Sequence, residues 1–180
     1  MSPAWTLRTG RLRLTPVAWP DLPPLIALKA DPRVFAVMLG GVRSPVRAAE
    51  ELAEDIAAWA ARGFGIWTVR DAASDAFLGL TGLMDRADGR GVALRFALWP
   101  EARGRGLARE AAGAALMFGH ETAGLARIVA VARADNVASR TVLGAIGMVE
   151  RERFLRAGTE MVLYDSRRVT RLPPPDGAAR

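Results

Sequence analysis

The chain has 180 residues, 51% of them hydrophobic, no cysteine, and a formal net charge of +6. That length holds one globular domain with a sizeable core. It excludes disulfides and cysteine-zinc sites, and no metal is expected. No apolar run approaches the ~20 residues of a membrane span, and the opening MSPAWTLRTGR lacks the apolar segment of a signal peptide, so a cytoplasmic protein without membrane contact is expected. Lys29 is the only lysine. The positive charge is therefore nearly all guanidinium, and it suits anionic partners such as RNA, phosphate-bearing cofactors or acidic substrates.

Residues 10–14 (GRLRL) alternate polar and apolar and predict a short strand. Residues 19–30 predict a helix, with Asp21 as N-cap and Pro23 and Pro24 tolerated in its first turn. Ser44-Pro45 supplies a cap and an N1 proline for the next helix. Residues 50–59 continue it, with Leu52, Ile56 and Trp59 at helical spacing, and Gly63 ends it. The period then changes. Residues 64–69, 77–84 and 92–99 predict three strands joined by the turn-rich DAASD and DRADGRG, a meander. In the third, Val92, Leu94, Phe96 and Leu98 share one face, with Ala93, Arg95 and Ala97 on the other.

Residues 105–122 predict a helix with a stripe of mostly small residues (Leu107, Ala108, Ala111, Ala112, Ala115, Leu116, Gly119) that lets it lie close to a sheet. Residues 127–132 (RIVAVA) predict a strand buried on both faces, and 136–146 a helix closed by Gly147. Residues 148–155 and 159–170 predict a final strand pair around Ala157-Gly158. The segment 171–180 has no apolar period and is expected to be an extended or mobile tail, leaving residues 1–170 as the domain. The order β-α-α-β-β-β-α-β-α-β-β predicts a single-domain mixed α/β fold. Its central sheet is mostly antiparallel and flanked by helices, with one parallel βαβ unit from strand 92–99 through helix 105–122 to strand 127–132.

The most informative segment is FALWPEARGRGLA, residues 96–108, in which a strand ends, a glycine-rich turn follows and a helix starts. A helix N-terminus offers unpaired N–H groups and partial positive charge, so a phosphate there gathers several donors. Gly104 and Gly106 lack Cβ atoms and let backbone approach an anion, while Arg103, Arg105 and Arg109 add charge. No P-loop string exists. The dinucleotide fingerprint needs a small residue where Arg109 stands and a strand running directly into the first glycine.

Arg103, Gly106 and Ala108 fit Arg/Gln-x-x-Gly-x-Gly/Ala, and with this turn the sequence resembles the GNAT N-acetyltransferase superfamily. It is most similar to the Rim-type group that acetylates ribosomal-protein N-termini. The resemblance spans about residues 7–169 through TGRLRLTP, PEARGRGLAREA, ARADNVASRTVLGAIGM and MVLYDSRR. It implies acetyl-CoA as co-substrate. Backbone N–H groups of Arg103, Gly104, Arg105, Gly106, Leu107, Ala108 and Arg109 would hold the pyrophosphate. The strand edge at Leu98 and Trp99 would pair with the pantetheine amides. Asn136 would bond the pantetheine arm while also serving as an N-cap.

The reaction the resemblance implies is direct attack of a neutral amine on the thioester. A tyrosine common in relatives is replaced here by Leu143. Ser139, three residues after Asn136 and on the same helical face, matches a serine proposed as thiolate proton donor in the Rim-type group; the plain alternative is a hydroxyl bonded to a backbone carbonyl. A glutamate common on the central strand is replaced by Ala93 in Ala93-Leu94-Arg95-Phe96. Asp85, Glu101 and Glu160 are the substitutes in view, each also readable as a solvated turn charge. Without a dedicated base the site suits a weakly basic amine. Deprotonating an α-amine of pKa ~7.8 at pH 7 costs about 1 kcal/mol, against about 4.6 kcal/mol for lysine at ~10.4.

Arg95 could pair with a substrate carboxylate, or with Asp85 or Asp88. His120, the only histidine, is expected to meet its helix C-terminus rather than to catalyse. The expected acceptor is thus a protein N-terminus or a small amino metabolite. The alternatives are an RNA-binding module, disfavoured because the tryptophans are not clustered with the arginines, and a catalytically impaired CoA-binding or scaffold protein.

Overall fold

A computed structural model describes residues 3–86 and 88–168. Residues 169–170, expected in the last strand, and the tail 171–180 lie outside the described residues. Eight strands form one sheet: β1 (Leu7–Arg8), β2 (Leu12–Pro16), β3 (Ile66–Asp71), β4 (Phe77–Asp85), β5 (Val92–Leu98), β6 (Arg127–Arg133), β7 (Val149–Arg156) and β8 (Thr159–Arg167). Their order across the sheet is β1-β2-β3-β4-β5-β6-β8-β7. Neighbours are antiparallel except for β5 and β6. The helices are α1 (Leu22–Ala30), α2 (Pro32–Phe35), α3 (Pro45–Arg62), α4 (Leu107–Glu121) and α5 (Val137–Ala145). The expected α/β class, the meander and the single parallel βαβ unit around α4 are all present.

Local chemistry sets the element ends. Ser44 caps α3 by accepting the Arg47 N–H, Pro45 follows at N1, and Gly63 closes the helix at φ 72°. Asp21 differs from its expected role. It stands before α1 but closes a short 3-10 turn, and its carboxylate accepts the Ala18 N–H at 3.0 Å and an Arg70 N–H at 2.9 Å. Helix α4 begins at Leu107 rather than 105 because Gly104 and Gly106 both have positive φ, 72° and 74°, which a right-handed helix cannot accommodate. β1 and α2 are too short to produce a periodic signal in the sequence.

The sheet is covered on both faces. Leu25, Leu28, Val34, Phe35 and Leu52 of α1–α3 pack on Ile66, Leu80 and Ala97. On the other face Leu107, Ala111, Ala112 and Ala115 of α4 and Leu143 of α5 pack on Leu83, Leu94, Ile128, Ala130 and Val162. The small-residue stripe has the expected consequence. A Cβ on Gly119 would lie 2.5 Å from Ile128 Cδ1 and 2.7 Å from Leu83 Cδ1, so any larger residue would have to push these two side-chain ends aside.

Tryptophans dispersed in sequence meet inside the protein. Trp59 lies 5.1 Å from Trp5 and 4.7 Å from Trp67, and Trp67 lies 5.1 Å from Phe118. Both buried indole N–H groups of this cluster are satisfied, Trp59 by the Ile66 carbonyl and Trp67 by the Trp5 carbonyl. These rings are core, and so give no stacking platform for bases.

The parallel pair positions the site. β4 and β5 stay in register over seven residues, whereas β5 and β6 pair only at Ala93 and Val129. Beyond that point the two strands separate, and a cleft opens between their C-terminal halves.

Candidate active site

The cleft has a volume of about 500 Å³. Its floor comes from Ala93–Phe96 of β5 and Ala130–Arg133 of β6. Asn136, Ser139 and Leu143 form one wall, and Glu51, Glu54 and Asp55 of α3 the opposite one. Residues singled out in the sequence on separate elements, among them Asp85, Arg95, Asn136, Ser139 and Leu143, therefore share one cavity.

Asn136 is the N-cap of α5: its Oδ1 accepts the Ser139 N–H at 3.1 Å. That bond uses the amide oxygen, and the amide nitrogen makes no hydrogen bond to a described residue. The Ser139 hydroxyl makes no hydrogen bond to any described residue, so the carbonyl bond offered as its plain alternative is not formed. Leu143 is 2% exposed and belongs to the core beneath the cleft. Tyr164, the only tyrosine, lies under α5, where its hydroxyl accepts from Arg140 at 3.1 Å and faces Glu150 at 3.4 Å. It does not line the cleft and is no replacement for the tyrosine missing at Leu143.

The glycine-rich turn lies beyond the end of β5, outside this cleft. Arg103, Gly104, Arg105, Gly106 and Arg109 are exposed, and α4 starts at Gly106 with no side-chain cap. The N–H groups from Gly104 through Arg109 have no acceptor among the described residues, as expected for an uncapped first turn. Arg103 differs. Its N–H is bound to the Pro100 carbonyl and its guanidinium to the Arg33 carbonyl at 2.8 Å, so the open donors begin one residue later than expected. The side chains of Leu98 and Leu107 are buried in the core, leaving only their backbone to a ligand.

The strand edge also needs one correction. The Trp99 N–H donates to the Leu78 carbonyl and the Trp99 carbonyl accepts from Ala102, both at 3.0 Å. Alternate residues of a strand present their polar groups to opposite neighbours. Leu98 thus directs its N–H and C=O toward the β6 side, and Trp99 has none to offer.

One residue at the turn carried no separate signal in the sequence. Arg11 donates to Glu110 Oε2 from Nε at 2.8 Å and to the Arg105 carbonyl from Nη1 at 2.8 Å. Glu110 Oε1 also accepts from the Thr9 hydroxyl at 2.6 Å and the Arg11 N–H at 2.9 Å. Burial alone would raise the Glu110 carboxyl, but these hydrogen bonds and the Arg11 charge hold it below the ordinary value. This arrangement ties the start of β2 to the turn and to the first turn of α4.

The acidic groups divide clearly. Asp85 lines the cleft but is paired with Arg62; Asp88 is paired with Arg86. Glu101 pairs with Arg33 at 3.3 Å in a separate shallow depression, and Glu160 with Arg153 at 3.5 Å away from the cleft. Glu51 is buried between Lys29 at 2.8 Å and Arg43 at 2.6 Å. Burial raises its carboxyl, and those two cations outweigh the burial and bring it below the ordinary value.

Asp55, one helical turn after Glu51, was not selected in the sequence. It lines the cleft, forms no hydrogen bond or ion pair with a described residue, and burial pushes its carboxyl up to about 6 against the pull of Arg95 and Lys29. A carboxyl titrating near neutrality is suited to accepting a proton from an amine.

Arg95 meets neither Asp85 nor Asp88. Its only side-chain contact of this kind is Nη1 to Met84 Sδ at 3.4 Å, and burial draws its guanidinium below the usual value while Asp55 and Glu51 oppose that. His120 bonds the Leu125 carbonyl at 2.7 Å and the Ser166 hydroxyl at 2.9 Å. It clamps the loop after α4 to β8, and its place is structural. Among the described residues no cluster of three or more His, Cys, Asp or Glu is placed to hold a metal, and no helix is long and apolar enough to cross a membrane.

With this geometry in place, comparisons give its relatives. A family model described as an acetyltransferase (GNAT) domain matches residues 11–149. An acetyltransferase of Agrobacterium tumefaciens superposes with a TM-score of 0.79 at 28% identity, covering 89% of this chain and 93% of its own. Two more distant structures share the fold. The spermidine N-acetyltransferase of Vibrio cholerae, solved with CoA and spermine, has a TM-score of 0.75 at 18% identity and coverage of 89% and 97%. A ribosomal L7/L12 alpha-N-protein acetyltransferase, solved with coenzyme A, has a TM-score of 0.75 at 16% identity and coverage of 90% and 97%.

Proposed function

The chain belongs to the GNAT acetyltransferase family, with acetyl-CoA as its co-substrate, and from that premise we propose that it acetylates a small amino metabolite or a peptide N-terminus by direct attack of the amine. The observation that carries this reading is the presence together of three open features. They are the uncapped N–H groups at Gly104–Arg109, the free β5 edge at Leu98, and the cleft that brings Asn136 and Ser139 opposite Asp55.

In this reading the pyrophosphate of CoA sits on the uncapped turn, where helix N–H groups and the exposed Arg105 and Arg109 meet it. The pantetheine amides pair with the β5 edge as an added strand would, and the Asn136 amide nitrogen donates to the same arm. The thioester then lies in the cleft. The amine nitrogen bonds to the thioester carbonyl carbon, the C–S bond breaks, and the sulfur takes a proton through the Ser139 hydroxyl, which has no hydrogen-bond partner among the described residues. A thiol of pKa ~8.5 leaves readily, so this proton transfer contributes modestly. Arg95 binds the acceptor.

Isothermal titration with acetyl-CoA and with CoA, followed by thiol release across an amine panel, tests the proposal. Binding of both ligands, little response to NAD or ATP, and amine-dependent thiol release are expected. Binding without thiol release for any amine would favour the catalytically impaired CoA-binding protein instead.

A further inference from the structure

Asp55 and Arg95, two partly buried opposite charges in the cleft, have no ion-pair partner among the described residues. Of its five carboxylates, Glu51, Glu54, Asp85 and Asp88 each form an ion pair, and Asp55 forms none. Arg43, Arg47, Arg86 and Arg133 likewise have carboxylate partners; among the described residues Arg95 and Arg156 have none, and of these two Arg156 is exposed whereas Arg95 is half-buried on the strand floor. The two groups feel each other electrostatically without forming a direct ion pair. Unpaired buried charge is costly. A chain that pairs almost all its other acids with arginine leaves these two apart, facing one cavity from α3 and β5.

We propose that the acceptor is a zwitterion, an α-amino acid or close analogue, whose carboxylate is bound by Arg95 and whose ammonium gives its proton to Asp55. This rests on the acetyltransferase reading above and adds to it the substrate class and the missing base. Both groups are fixed in place. Asp55 follows Glu51 by one turn on α3, and Glu51 is locked to α1 through Lys29 and to the loop before α3 through Arg43. Arg95 rises from a strand in full register with β4.

The protons balance. The acceptor enters as an ammonium and gives one proton to the Asp55 carboxylate. The neutral nitrogen attacks the thioester carbon and the C–N bond forms as the C–S bond breaks. A second proton passes from nitrogen to sulfur through Ser139, the third stays on the amide, and Asp55 returns its proton to solvent. The two charges are also coupled. Arg95 pulls the Asp55 carboxyl down in the free protein. A carboxylate on Arg95 offsets that pull, while the ammonium beside Asp55 acts in the opposite sense until it has given up its proton. Val37, Met38, Leu39 and Met84 line the same cleft, so the side chain of the acceptor is apolar.

The test compares leucine, leucinamide and 3-methylbutylamine as acceptors at saturating acetyl-CoA, in the wild-type protein, Arg95→Gln and Asp55→Asn. Wild type should prefer leucine over 3-methylbutylamine, the same molecule without its carboxylate, by at least about tenfold in kcat/KM. Arg95→Gln should bring that ratio near one. Asp55→Asn should lower kcat by about 10²-fold and abolish the fall in kcat/KM below about pH 6. Equal use of the three amines by the wild-type protein, which needs no variant to observe, overturns the inference and leaves the acetyltransferase reading intact. A leucine preference that survives Arg95→Gln also overturns it. Acetyl-CoA binding without thiol release for any amine removes both readings.

Discussion

Asn136 Oδ1 accepts the Ser139 N–H at 3.1 Å, so a single residue both starts α5 and lines the cleft. The two roles separate by substitution. Asn136→Ser keeps a good N-cap but is too short to donate into the cleft, while Asn136→Ala loses both functions. Melting temperature and acetyl-CoA affinity should therefore dissociate. Serine should leave stability within a few tenths of a kcal/mol and weaken binding, whereas alanine should cost about 1 kcal/mol as well. Equal affinities for Asn136→Ser and wild type in calorimetry would confine Asn136 to capping.

At Gly106 the conformation and the proposed anion site coincide. Its φ of 74° strains any L residue, by about 1 kcal/mol for the more tolerant Asn and Asp. Gly106→Asn and Gly106→Asp should thus lose similar stability by thermal denaturation. Only aspartate places a carboxylate where the pyrophosphate is proposed to lie, and its acetyl-CoA dissociation constant should exceed that of the asparagine variant by tenfold or more. Matching constants would move the phosphates elsewhere.

Arg11 and Glu110 hold the same turn from outside. Glu110 has a depressed carboxyl pKa in the folded protein. Its contribution to stability is therefore present above the unfolded value of ~4.3 and is lost as pH falls through the lower, folded value. Glu110→Gln should cost about 1 kcal/mol at pH 7, discounted because Arg11 is 52% exposed, and the gap from wild type should close in acid. Arg11→Met leaves the Glu110 charge uncompensated beside the uncapped helix end and frees the Arg105 carbonyl. Its acetyl-CoA dissociation constant should rise several-fold, as titration at two ionic strengths would reveal.

The sequence carried the fold because its signals were local. Ser44-Pro45, Gly63 and the alternation in 92–98 specify their elements without outside help, and the glycine pair at 104 and 106 marks the turn. The turn and Asn136 were legible as motif positions for the same reason. Asp55 was not, because α3 shows it only as one acid in the run Glu50-Glu51-Leu52-Ala53-Glu54-Asp55. Its difference from Glu50, Glu51 and Glu54 is that they have arginine partners and it has none, a fact created by tertiary packing. Trp99 shows the reverse limit. Strand periodicity placed it on an edge, but whether its N–H is free depends on which neighbour its peptide faces, and the pairing with Leu78 decides that.

Asp55 should also weaken the fold it belongs to. Its carboxyl is raised to about 6 by burial, so the folded state favours the neutral form. Between about pH 4 and 6 the folded protein retains a proton that the unfolded chain has released, and stability falls as pH rises through this window. Above pH 6 the cost is complete, about 1–3 kcal/mol after allowance for the open cleft. Asp55→Asn should therefore raise the melting temperature at pH 8, by roughly 2–4 °C per kcal/mol for a domain of this size, and leave it nearly unchanged at pH 4. No gain at pH 8 would mean that the carboxylate is well solvated and its pKa ordinary.

The proton donor is addressed by Ser139→Ala and Leu143→Tyr together. The Ser139 hydroxyl has no partner among the described residues, so alanine removes no structural bond and should leave stability and acetyl-CoA affinity unchanged. Its effect should fall on kcat alone, as expected of a group that acts in the transition state. The reduction should be near or below the ~10²-fold lower bound of general acid catalysis, because a thiolate leaves without much assistance. Leu143→Tyr introduces a phenol on α5, but at a side chain only 2% exposed and packed in the core. Overpacking should cost about 1–3 kcal/mol, visible in thermal denaturation. If the new hydroxyl reaches the cleft, the double variant Ser139→Ala with Leu143→Tyr should recover kcat relative to Ser139→Ala. Wild-type kcat in Ser139→Ala removes the serine from the mechanism. A reduced kcat that tyrosine fails to restore, in a double variant that still binds acetyl-CoA normally, means that Leu143 faces the core too firmly for proton donation from its position on α5.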